Sequence, residues 1–328
     1  MTPDDRLLKA LVEKVTNYKK SVPIFRIPER RPDELDDAVV QAGLRFVKIA
    51  GFGGMRHSVR RERESSIFLF QEDIRARLFH ASGAIALDRG WRPMDRIIAT
   101  DATQADLKLL RRHAEQAVNR LQLAPTSTSD QLRFERLWRL KAAGMTRDGK
   151  TGPIALTRVV GAFRRYLGGM PVWGRASAFV ELAAEARIAA AGVDWRPVVD
   201  EPFDTATVLS PEDGAARVLA ELQISLPDAR YTRKDYTPEF FSLGYLSLPR
   251  RHAQTVMQPV YVAMFKPAGP FPSIGRLIVV PAAPHPYESI CRLAAPPPLT
   301  SRKPATTGES AQRNVRHRAR GENQAGQS

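Results

Sequence analysis

The chain has 328 residues, 43% of them hydrophobic and 26% charged, and a formal net charge of +15. That composition predicts a folded body with room for two modest domains and excludes a wholly disordered chain. A single cysteine, Cys291, excludes an intramolecular disulfide and a cysteine-based zinc cluster.

Residues 1–32 read as an N-terminal helix followed by a linker. Thr2 caps the helix, Pro3 suits its first position, and Asp4 and Asp5 favour the positive end of its dipole. Leu7, Leu8, Leu11, Val15 and Tyr18 share one face. Three prolines between residues 19 and 32 mark the linker. Residues 33–100 predict a short helix over 33–41, then a β-meander. In the meander, Phe46, Lys48 and Ala50 alternate with Val47 and Ile49, and the runs Ser66–Phe70 and Ile74–Phe79 follow.

A second helix is expected from Thr103, where Thr103 and Asp106 have capping-box spacing and Leu107, Leu110, Ala114, Val118 and Leu121 form one stripe. Even spacing of Leu132, Phe134 and Trp138 predicts a strand. A turn at residues 147–150 leads to another strand over 154–167. Gly168-Gly169 then tolerates positive φ at both centres of a hairpin turn. Beyond Pro171 the alternation from Val172 to Glu181 argues for strands rather than for the helix a phosphate-binding loop requires. The order repeats loosely further on. Ser210 caps a helix bearing Ala215, Val218, Leu219 and Leu222, and strand-like runs cover 241–248, 254–265 and 276–282. Residues 294–328 are proline-, serine- and arginine-rich and read as a disordered basic tail, with six Lys/Arg against two Glu from Ser301 onward.

Residues 103–198, through Phe163, Tyr166, Gly169, Pro171, Val172, Trp173 and Gly174, resemble the pro-region module of thermolysin-like and fungalysin-like metalloproteases, within the PepSY group. Residues 205–290, with Gln258 to Val262, look like a more distant copy. The resemblance implies an α+β fold of tandem cystatin-like units, each a helix packed on an antiparallel sheet. It also implies a non-catalytic role in holding, inhibiting or assisting a peptidase. No His-Glu-x-x-His is present to supply a peptidase, and Ala183 to Ala186 replace the acidic turn common in the family.

The six histidines show no metal-ligand spacing, and His80 reads as a core or turn histidine. His285 and Cys291 lack an orienting third group. Asp4-Asp5, Asp36-Asp37 and Glu212-Asp213 stand at helix starts, where the dipole accounts for them. Ser82 lacks the nucleophile-elbow pattern. No catalytic, cofactor or metal site is therefore expected. The expected function is protein or peptide binding through Tyr166, Val172, Trp173, Arg175, Phe179 and Tyr261, on a sheet edge over 170–180 or 254–265.

Two alternatives are a basic nucleic-acid-binding accessory protein, motivated by charge, and an enzyme of unrecognised type. The arginines occur singly or in pairs, with no basic run interleaved with aromatics, so weak polyanion binding through the surface and tail is the bland expectation. Residues 1–20 lack a secretory leader pattern and no apolar run reaches membrane-span length. A cytoplasmic location is expected, with the envelope or exterior as the alternative the resemblance implies.

Overall fold

The computed structural model describes residues 3–50, 56–70, 74–90, 98–103, 105–125, 127, 129–194, 196–226, 232–269 and 275–289. These all fall in one contact unit, Met1–Cys291. The expected tail over 294–328, Cys291 and Trp195 lie outside the described residues.

In chain order the chain forms α1 (Pro3–Val12), β1 (Val15–Thr16), β2 (Ser21–Arg26) and α2 (Pro32–Ile49). A meander follows: β3 (Ser58–Arg61), β4 (Ser65–Leu69), β5 (Arg75–Phe79) and β6 (Ala84–Asp88). Next come α3 (Leu107–Arg120), β7 (Asp130–Ala142), β8 (Ala155–Leu167), β9 (Met170–Gly174), β10 (Ser177–Leu182), β11 (Ile188–Val193) and β12 (Asp204–Thr207). The last elements are α4 (Pro211–Ile224), β13 (Tyr236–Ser247), β14 (Val256–Met257), β15 (Pro259–Pro267) and β16 (Arg276–Pro281).

Thirteen strands join one mixed sheet, in the order β16-β15-β13-β9-β8-β10-β11-β6-β5-β4-β3, with β7 added on β8 and β1 on β13. A small sheet, β12-β2-β14, stands apart. This overturns the tandem cystatin-like architecture. The two stretches that read as separate helix-on-sheet units share strands: β9 pairs in parallel with β13 through Val172↔Tyr245, Trp173↔Leu246 and Gly174↔Ser247. The meander is also part of that sheet, since β6 pairs with β11. Alternation along one strand reports that a face is buried. It does not report which distant strand lies alongside.

Local readings shift for similar reasons. The helix expected over 33–41 continues to Ile49, because Leu35, Val39, Ala42, Phe46 and Val47 keep helical spacing and bury one face. The brief alternation at 46–50 is the tail of that pattern. The expected linker holds β2, whose Val22, Ile24 and Phe25 are buried. Asp106, not Thr103, caps α3 by accepting from the Leu109 amide. Ser210 caps α4 by accepting from the Asp213 amide.

The glycine pair links β8 to β9 with φ of 56° at Gly168 and 79° at Gly169, and Leu167↔Met170 closes the hairpin. The next residues do not form one strand. The chain leaves β8, runs beside β13 as far as Gly174, and returns at Ala176, whose carbonyl accepts from the Arg165 amide. At Gly174 φ is 86°, and a Cβ there would collide with the Ser247 carbonyl.

All four helices lie on one face of the sheet. Helices α2 and α3 cover Phe68, Leu78, Leu87, Phe163 and Val180. The other core sets Leu11 of α1 and Val218 and Leu222 of α4 against Leu167, Leu243 and Tyr261. Phe163 of the first core and Leu167 of the second share one face of β8. Arg165 lies between them on that face with 0% exposure.

Its guanidinium makes two parallel bonds to Asp130, Nε to Oδ1 at 2.8 Å and Nη2 to Oδ2 at 2.6 Å, and a third to the Arg196 carbonyl at 2.8 Å. Arg196 in turn donates to Ser247 Oγ and to the carbonyls of Leu248, Pro249 and His252. Burial pushes the Arg196 guanidinium down to about 10, while Glu288 draws it back up. Two cores therefore meet at a polar seam.

Asp130→Ala strands a wholly buried guanidinium and is expected to cost about 3–5 kcal/mol, read from urea unfolding. The turn between β10 and β11 holds Ala186 at φ 54°. Ala186→Gly relieves that strain, and a gain of about 0.5–1 kcal/mol is expected as a raised Tm.

Candidate functional site

Strand β7 pairs with β8 along its whole length, from Asp130↔Leu167 to Ala142↔Ala155. Among the described residues it has no strand on its other edge. Every residue from Trp138 to Thr151 is exposed, so both faces of this part of the ribbon meet water. Thr146 closes the tip, bonding to Lys150 through backbone and hydroxyl groups, and Gly149 turns with φ of 82°.

The ribbon carries large apolar groups in solvent: Trp138 is 55% exposed, Leu140 43%, Met145 74% and Ile154 55%. Residues 131–158 hold seven Lys/Arg against two acidic residues. A long unpaired edge is an aggregation liability, and natural proteins blunt one with charge. Here the charge is almost all of one sign and is mixed with exposed apolar groups.

At its base the ribbon joins a set of arginine–aromatic pairs on the helix-free face. Arg133 lies 4.4 Å from the Tyr166 ring centre, Arg164 4.5 Å from Trp173, and Arg136 4.9 Å from Trp138. Glu135 bridges Arg164 and Arg136. Burial works to raise the Glu135 carboxyl, yet the two guanidiniums beside it hold it below the ordinary carboxylate range. The sequence shows no basic run interleaved with aromatics because the interleaving is made across strands. Arg136 and Trp138 alone, two apart on one strand, carry a local signal.

The residues expected to meet a partner are divided between surface and core. Tyr166, Trp173 and Arg175 lie on or beside the helix-free face. Trp173 is stacked on Phe240 at 5.3 Å, and its indole nitrogen is buried without a hydrogen-bond partner. Arg175 is exposed and reaches to 4.0 Å from Asp194. Phe179 is half-buried beside Gly192. Val172 and Tyr261 are in the core, and the Tyr261 hydroxyl donates to the Leu209 carbonyl at 2.8 Å. Pro171 is buried beside Gly244.

Neither expected edge is free: β9 lies between β8 and β13, β10 between β8 and β11, and β15 between β13 and β16. Among the described residues the open edges of the large sheet include β16, β3 and β7, and β7 is the longest of them.

One side-chain pair has the look of a nucleophile and its base. Ser66 Oγ lies 2.8 Å from His80 Nε2. Ser66 has 0% exposure and also accepts from Arg61, which is held by Asp36. A substrate cannot reach that oxygen, and no acid orients the other ring nitrogen among the described residues. The pair ties β4 to the turn after β5. No three His, Cys, Asp or Glu side chains converge as a metal site among the described residues. No described helix is long and apolar enough to cross a membrane.

No family model matches the chain, and no curated protein does. Among solved structures it is similar to an uncharacterized protein from Eubacterium rectale ATCC 33656, determined at 1.45 Å resolution. The match has a TM-score of 0.50 and 11% identity, and covers 87% of this chain and 99% of that one. At that identity the likeness concerns the fold alone.

Since Trp138 is 55% exposed, Trp138→Ser is expected to change unfolding free energy by less than about 0.5 kcal/mol. Equilibrium urea unfolding checks it; a loss comparable to that of a core residue would mean the indole is covered in solution.

Proposed function

We propose that the chain is a non-catalytic binding protein that receives an acidic, extended segment of a partner protein as an added strand along β7. The observation that supports this most directly is the open edge of a 13-residue strand, exposed from Trp138 onward and rich in Arg and Lys. Strand addition satisfies the unpaired backbone groups of the edge, while side chains above and below select the partner.

Charge chooses between occupants. In an antiparallel pairing of two β7 strands, Arg133, Arg136, Arg139 and Lys141 of one copy face a strand of the same sign, which is destabilising. A strand bearing Glu or Asp at alternate positions instead gains about 0.2–1 kcal/mol for each opposed pair. Valine or isoleucine at its other positions would cover Leu140 and Trp138. The open edge by itself carries this role.

Hydrogen exchange with an alternating Glu-Val peptide tests the reading. The expected result is slowed exchange of β7 amides, abolished in the double variant Arg139→Glu, Lys141→Glu. Unchanged β7 exchange at saturating peptide would overturn it. Duplex DNA protecting the same amides where the peptide does not would assign the ribbon to nucleic acid, whose major groove admits a two-stranded β-ribbon.

A further inference from the structure

On the helix-free face of the meander, far along the sheet from the β7 ribbon in strand order, the pairing register aligns Arg60, Ile67 and Arg77 in one cross-strand row. Leu69, Arg75 and Asp88 form the next. Arg250, from the loop after β13, completes an open concavity of about 370 Å3 with them. Small-ligand sites run from roughly 300 to 1,000 Å3, so this one is at the small end. Four guanidiniums and one carboxylate, Asp88, line it.

We propose that this concavity binds a ligand carrying two or three linked phosphate groups. The four arginines are not equivalent. Arg250 is fixed, held by Asp194 through Nε at 2.5 Å and Nη2 at 2.8 Å, and lies 4.9 Å from the Phe79 ring centre. Arg60 pairs with Glu62 at 2.9 Å and Arg75 with Asp88 at 3.1 Å. Those side chains are between 37% and 70% exposed, so both pairs are weak and an incoming anion can compete for the guanidiniums. Arg77 makes no hydrogen bond or ion pair among the described residues, and its charge is felt by Glu62.

Spacing selects the ligand. Residues two apart on a strand stand about 7 Å apart, and residues two strands over about 10 Å. Arg77 is thus separated from Arg75 by the first distance and from Arg60 by the second. With Arg60 drawn toward Glu62 and Arg75 toward Asp88, a short phosphate chain spans all three guanidiniums where they stand, and the planar fork suits its oxygens. Among the described residues the lining holds no histidine, serine or cysteine. The phosphates could belong to a free nucleotide or to successive positions of a nucleic-acid strand.

Isothermal titration at low salt, with inorganic tripolyphosphate in one arm and a single-stranded oligothymidylate in the other, tests the site. Saturable binding is expected in at least one arm, weakening with added salt and at least about tenfold in Arg77→Gln. The control Lys234→Gln should leave it unchanged. Tripolyphosphate binding assigns a small ligand; oligonucleotide binding alone assigns a strand. Arg77 is exposed, so the variant keeps its fold, and a melting curve verifies this. The proposal is overturned if neither probe binds, or if Arg77→Gln and the double variant Arg60→Gln, Arg75→Gln bind as the parent does. The readout is independent of any partner on β7, so either proposal can fail alone.

Discussion

A guanidinium without water contact lies where two apolar cores meet on one sheet. Desolvating Arg165 and Asp130 costs nearly as much as their mutual attraction returns, so the pair adds little net stability. Its effect is on which strands meet. Asp130 opens β7, Arg165 is near the end of β8, and the third Arg165 bond reaches the Arg196 carbonyl. Arg196 then holds the end of β13 and the loop after it. A register shift of one residue in β8 would turn Arg165 to the helix-free face and leave Asp130 buried alone. That penalty is what binds the hairpin's geometry to the parallel pairing of β9 with β13.

The seam also explains why the glycine hairpin looked self-sufficient in sequence. A two-residue turn with alternating flanks is a complete local unit, and the structure contains it. The departure comes over Val172 to Gly174, where the chain turns aside to pair with a strand more than seventy residues away. Nothing near Gly174 in sequence announces that excursion. Its requirement for positive φ and for close approach to Ser247 appears only when β13 is in place.

Much of the local structure was legible. The apolar stripes of α3 and α4, the Ser210 cap and the strands either side of Gly168 all follow from spacing and turn chemistry. Two kinds of feature were not. Pairing between distant strands leaves no trace in alternation, so β7 could not be told from an interior strand, nor β10 and β15 from edges. Grouping across strands is equally silent: Arg133 meets Tyr166, and Arg164 meets Trp173, through register alone. Arg165 and Arg164 are adjacent in sequence and read as one basic pair. One is wholly buried and the other stacks on the half-buried Trp173 indole, because successive residues of a strand face opposite ways.

The ribbon from Trp138 to Thr151 is exposed on both faces, and Asp130 and Arg165 lie near the far end of those same strands. Opening the peptide bond after Arg147 would therefore break no buried contact. The two resulting pieces would each bring one arm of the central hairpin and one half of its buried ion pair. Two such fragments synthesised separately are expected to reassociate, with the charge pair setting their alignment.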